Sequence, residues 1–127
     1  MRATIIIIGL LLTGLLFAPS SAKIAEEHAV LYAGEVMATA YNSLPSQTDS
    51  TPWITAAGTR CREGVIASNF LPLGTKVKIE GYGNRVFTVE DRMNKRYAKR
   101  IDIWFRHYND AKQFGVRKIK YYVLASV

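Results

Sequence analysis

The chain has 127 residues, 17 Lys and Arg against 10 Asp and Glu, a net charge of +7 and a single cysteine. One cysteine excludes an intrachain disulfide framework, and the length fits one domain rather than several. The positive balance points to polyanionic partners.

Met1 and Arg2 open a basic start, and an apolar run follows from Ile5 to Phe17. Ala18-Pro19-Ser20-Ser21-Ala22 then breaks the run and offers a small-x-small cleavage site. That order predicts a cleaved signal peptide over 1–22. The run falls short of the ~20 residues of a membrane span, which disfavours an uncleaved anchor. The mature chain is expected to start near Lys23, exported to the periplasm, wall or medium. It would be a monomer that meets the membrane only through its signal peptide. For an exported chain the natural polyanion is a cell-wall polymer, so no nucleic-acid partner is expected. Much of the positive charge is spread over loops and strand faces and reads as solvated surface.

Residues 23–34 read as a linker, with a helical turn around Ala25 to Ala29. His28 has no second ligand at metal spacing, so neither a metal nor a cofactor is expected. Glu35 to Tyr41 is the first predicted strand. Asn42 to Trp53 is a long polar loop with Pro45 and Pro52, and loops of about a dozen residues are often functional. Tyr41 and Trp53 flank it and are candidate sugar platforms; Trp53 also reads as a core or rim residue. Ile54 to Thr59 is small and Gly-punctuated, so backbone passes close to something there. Cys61 reads as a reduced structural residue.

Gly64 to Ala67 is a short strand, Leu71 to Thr75 a turn, and Lys76 to Glu80 an alternating, half-buried strand. Gly81 to Asn84 carries turn chemistry. Arg85 to Glu90 is the next strand and delivers Asp91 at its end. A loop rich in Arg and Lys, including Arg96, leads to Arg100. Ile101-Asp102-Ile103-Trp104-Phe105 then alternates with the period of a strand. Asp102 and Trp104 share its polar side, so Trp104 is a third candidate platform and Arg100 another substrate-binding candidate. A carboxylate between two isoleucines is either held by partners or has a raised proton affinity.

Tyr108 to Phe114 forms one short helix, with Asn109 as its cap and Gly115 as its stop. Arg117 to Leu124 is the closing strand. Six or seven short strands and one helix predict a small closed β-barrel with a helical insertion.

In order, the segments Glu35–Tyr41, Thr55–Thr59, Pro72–Gly83, Glu90-Asp91, Arg100–Phe105, Ala111–Gly115 and Tyr122–Leu124 resemble the three-aspartate (3D) domain. The resemblance covers nearly all of residues 35–127. It implies a mainly β, six-stranded double-psi β-barrel with one short helix. The implied relatives are membrane-bound lytic transglycosylase A, stationary-phase muralytic proteins and, further off, rare lipoprotein A.

The implied activity is lytic cleavage of the β-1,4 bond between N-acetylmuramic acid and N-acetylglucosamine in peptidoglycan glycan strands. Asp102 matches the family's presumed catalytic acid/base, and Asp91 the aspartate that ends the preceding strand. The family's Asp-Thr-Gly-Gly is Asp91-Arg92-Met93-Asn94 here. The third aspartate's neighbourhood, Ala67 to Leu71, holds no acid. Asn69 occupies it, which makes Asn69→Asp an expected gain of activity, and Asp49 is the other candidate for a third carboxylate. The alternative is a non-catalytic wall-binding barrel, or a small partner-binding module of a wall-remodelling complex.

Overall fold

The structure is a computed structural model that describes residues 28–44 and 50–126. The expected signal peptide, residues 23–27 of the linker and Asp49 lie outside the described residues.

Six strands and one helix follow in chain order: β1 (Val30–Tyr41), β2 (Val65–Ser68), β3 (Lys76–Ile79), β4 (Phe87–Asp91), β5 (Arg100–Trp104), α1 (Tyr108–Phe114) and β6 (Arg117–Leu124). The strands close into a barrel in the order β1-β5-β2-β4-β3-β6. The expected small, mainly β barrel with one helix is therefore present. Two pairings, β1 with β5 and β2 with β4, are parallel, and the other four are antiparallel. Parallel neighbours cannot be joined by a tight hairpin. The chain from β1 to β2 must also cross β5, and the chain from β4 to β5 must cross β2; these long connections build the site.

Alternation decides which side chains enter the barrel. Val36 and Ala38 of β1, Ile66 of β2, Val89 of β4, and Ile101 and Ile103 of β5 meet in its interior. Each valine and isoleucine among them contributes about 1.5–3 kcal/mol when fully buried. The opposite face of β1, β5 and β2 carries a second apolar cluster: Tyr41, Trp104, Val65, Ala67 and, from the connection ahead of β2, Cys61. β2 is buried on both faces, which is why its sequence runs Val-Ile-Ala without polar alternation.

Three expectations are corrected. The linker ends before residue 30, because Val30 to Gly34 are strand. Their backbone pairs with β6, from Val30 opposite Leu124 to Gly34 opposite Tyr121. Val30, Leu31 and Tyr32 are exposed, so no buried face writes an alternation into that stretch. The residue capping α1 is His107, in extended conformation and with no side-chain capping bond, rather than Asn109. Gly115 does end the helix: its φ of 63° suits glycine, and its N–H reaches Ala111 O. The third correction concerns Trp104 and belongs to the site.

Candidate functional site

Asp91 and Asp102 reach one surface through strand register. Thr39 on β1 stands opposite Asp102 on β5, Asp102 stands opposite Ala67 on β2, and Ala67 stands opposite Asp91 on β4. The β2–β4 register shifts after Ile66, which pairs with Val89. Without that shift Glu90, not Asp91, would face Ala67. Glu90 is instead buried and ion-paired to Arg62, Nη2 to Oε2 at 2.8 Å.

The row of four lies on the outer face of the barrel. Pro52 and Ile54 flank it on one side, and the Arg92–Lys99 loop on the other. Between them is an open groove of about 570 Å³. Tyr41, Asp91 and Asp102 line it, together with Ile54, Arg96 and Tyr97. The two expected carboxylates therefore share one groove.

The two acids differ in how they are held. Asp91 accepts three hydrogen bonds. Its Oδ1 takes the backbone N–H of Ala56 and of Arg92, each at 2.9 Å, and its Oδ2 takes the Tyr41 hydroxyl at 2.9 Å. That is the acceptor-only pattern of an ionised carboxylate. The Ala56 donor sits in a tight turn where Thr55 N–H bonds Thr59 O at 2.8 Å and Thr55 Oγ1 meets Thr59 Oγ1 at 2.7 Å. Gly58, at φ 78°, makes the turn possible. The expected close backbone approach at Ile54–Thr59 is this contact with Asp91.

Asp102 has one side-chain hydrogen bond, from Thr39 Oγ1 to Oδ1 at 2.9 Å. Among the described residues no Lys or Arg pairs with it. Burial pushes its carboxyl up from 3.8 to about 6; the Thr39 bond opposes this, and the Asp91 charge adds to it. It is thus a carboxyl that exchanges its proton near neutrality. Tyr41 is pushed the other way from use as a base. Burial, then the neighbouring Asp91 charge, hold its phenol proton far above the usual range, so it serves Asp91 as a donor.

The other expected residues divide. Tyr41 is in the groove. Trp104 is not: it shares a face with Asp102, as alternation requires, but that face is roofed there by the long loop. Trp104 is 2% exposed and its Nε1 donates to Ser43 Oγ at 2.9 Å. Trp53 packs edge-on against Trp104 with ring centroids 6.4 Å apart, lies under the Arg60 guanidinium and remains 45% exposed. Cys61 is buried, with its Sγ 3.6 Å from Pro52 O.

Asn69 does not stand in for an acid. Its Nδ2 donates to the carbonyls of Met93, Asn94 and Tyr97 at 3.0–3.2 Å, and its Oδ1 accepts Met93 N–H at 3.0 Å. It clamps the Arg92–Lys99 loop onto β2. Arg92 does the same from the other side, with Nη1 2.6 Å from both Ser68 O and Leu71 O. Arg100 packs its guanidinium on Tyr97, 4.8 Å from the ring centroid.

Sequence reasoning missed Thr39, Ala67 and Tyr97. Parity along β1 puts Thr39 on the side of Tyr41, but its meeting with Asp102 needs the parallel β1–β5 register. Ala67 matters through its small size, which leaves the space between the acids open. No protein-family model matches the chain, and no curated protein is significantly similar to it.

Proposed function

We propose that this protein cleaves glycan strands of the cell wall as a lytic transglycosylase, with Asp102 as its single acid/base. One observation carries the reading: a half-buried carboxyl, raised to about 6, lies in an open groove beside a fully hydrogen-bonded carboxylate. Ordinary glycosidases need a second carboxylate to supply a nucleophile or to activate water. Asp91, engaged on both oxygens, is poorly placed for either task. An intramolecular reaction needs only one acid/base.

In that reaction Asp102 donates its proton to the glycosidic oxygen as the C1–O bond breaks. The C6 hydroxyl of the muramyl sugar closes on C1, and the Asp102 carboxylate takes the hydroxyl proton. The products are a 1,6-anhydro end and a free sugar hydroxyl, and no water is consumed. Asp91 raises the proton affinity of Asp102 and lends negative charge near the developing oxocarbenium. The resemblance to the 3D domain and its double-psi barrel relatives points the same way, as does the export signal read at the start of the chain.

The test is digestion of purified, peptide-stripped glycan strands by the mature protein. Anhydro-muramyl ends in the digest support the reading, and reducing ends or intact strands contradict it. The binding-barrel alternative is favoured by Asn69, since the neighbourhood of the family's third acid is occupied here by a structural clamp. Strands retained on the protein and never cut would support that alternative.

A further inference from the structure

The connection from β4 to β5 carries Arg92, Lys95, Arg96 and Lys99 and no acid, and β5 opens on Arg100. Two of these basic residues stack on one aromatic ring. Arg96 lies 4.7 Å and Arg100 4.8 Å from the centroid of the Tyr97 ring. Stacking on one aromatic stabilises each cation, yet two like charges held on one ring repel. Among the described residues neither has an ion-pair partner. A ligand carboxylate that pairs with either cation relieves the repulsion, and the planar fork of arginine suits it.

The pair is held in place. Asn94 Oδ1 accepts Arg96 N–H at 3.1 Å, and Asn94 O accepts Tyr97 N–H at 3.0 Å. Asn69 bonds the Tyr97 carbonyl. Little ordering is therefore lost when a ligand arrives. Arg96 and Tyr97 also line the groove that holds Asp102.

We propose that Arg96 and Arg100, braced on Tyr97, form an anion subsite at the rim of the Asp91–Asp102 groove that takes a carboxylate carried by the sugar polymer. This rests on the glycan reading above and narrows it. The ligand is an acidic glycan, and a neutral β-1,4 glycan of the same length is a poor one.

The test measures binding by the mature chain carrying Asp102→Asn, so that ligand is not consumed. The probes are peptide-stripped murein strands, the same strands amidated at their carboxylates, and chitin oligomers of matched length. Native strands should bind about tenfold or more tightly than amidated strands or chitin, the worth of one charge-assisted contact. Arg96→Gln with Arg100→Gln should erase that preference, so that native strands, amidated strands and chitin bind alike. Equal affinity for native and amidated strands overturns the proposal, as does a preference that survives the double substitution or no binding to any probe. If the double variant does not fold, the comparison of native with amidated strands on intact arginines decides alone. Failure of the cleavage reading looks different: a carboxylate preference in binding, with strands that wild-type protein never cuts.

Discussion

Asp91 and Asp102 face one another across a single alanine. Ala67 is the register partner of Asp91 on one side and of Asp102 on the other. Residues paired across neighbouring strands point to the same face, so both carboxylates rise from one patch of the outer barrel wall. Their surroundings then separate them. Asp91 accepts three hydrogen bonds and Asp102 one. Two acids of the same chemistry are thus held differently by different neighbours.

The raised proton affinity of Asp102 has a thermodynamic signature. The folded chain holds this proton more tightly than the unfolded chain, whose carboxyl keeps the ordinary 3.8. The contribution to stability is therefore full below that value and is lost as pH rises through about 6. Asp102→Asn should remove this dependence. Relative to wild type the variant should gain about 2–3 kcal/mol between pH 4 and pH 8. Denaturant unfolding at the two pH values measures it. A stability difference that does not change with pH contradicts a raised proton affinity at Asp102.

Asn69→Asp should not restore activity, despite the family resemblance that suggests a third acid there. A carboxylate at this position would face the carbonyls of Met93, Asn94 and Tyr97 with no hydrogen to donate. The expected cost is about 1–3 kcal/mol. Amide exchange in the Arg92–Lys99 loop should also rise. Exchange at wild-type rates, with stability unchanged, would show that Asn69 does not clamp that loop.

Trp104→Ala should act on stability. A buried Trp replaced by Ala costs about 3–5 kcal/mol, and here the Ser43 hydroxyl also loses its donor. Trp53→Ala should cost much less, because Trp53 is nearly half exposed. Urea midpoints of the two variants make the comparison. Equal midpoints would contradict the interior placement of Trp104.

The strand that carries Asp102 and the strand that delivers Asp91 were both legible, because a one-sided core writes its period into the sequence at Ile101, Ile103, Phe87 and Val89. The barrel followed from the number and spacing of such segments. Trp104 shows where that reasoning stops. Alternation assigns it to the side of Asp102, but the covering loop decides whether that side is wet. Val30 to Gly34 were missed because their pairing is by backbone, with exposed side chains and no period to read. Asn69 looked like a displaced acid because chain order shows neighbourhood, whereas its role lies in bonds to a loop more than twenty residues away.

Tyr41→Phe should show what Asp91 contributes. The change deletes one hydroxyl and leaves the Asp91 Oδ2 without its donor. The expected stability loss is about 1–2 kcal/mol. Asp91 keeps its two backbone donors on Oδ1, but the freed Oδ2 is open to water, which screens its charge, and the Asp102 proton affinity should then fall. The alkaline limb of the pH–activity profile, where Asp102 loses the proton it must donate, should move to lower pH, as it should more strongly with Asp91→Asn. A profile that does not move in either variant would remove Asp91 from the mechanism.

The most direct test of the account is the rate at which Asp102→Asn forms anhydro-muramyl ends on peptide-stripped glycan strands. The substitution keeps the size of the side chain, so strand binding should be nearly intact. It removes the only group in the groove assigned to cycle a proton, and general acid–base catalysis contributes about 10²- to 10⁴-fold. The predicted result is a rate lowered by at least that factor, with binding within about twofold of wild type. Cleavage by Asp102→Asn at the wild-type rate would contradict the assignment.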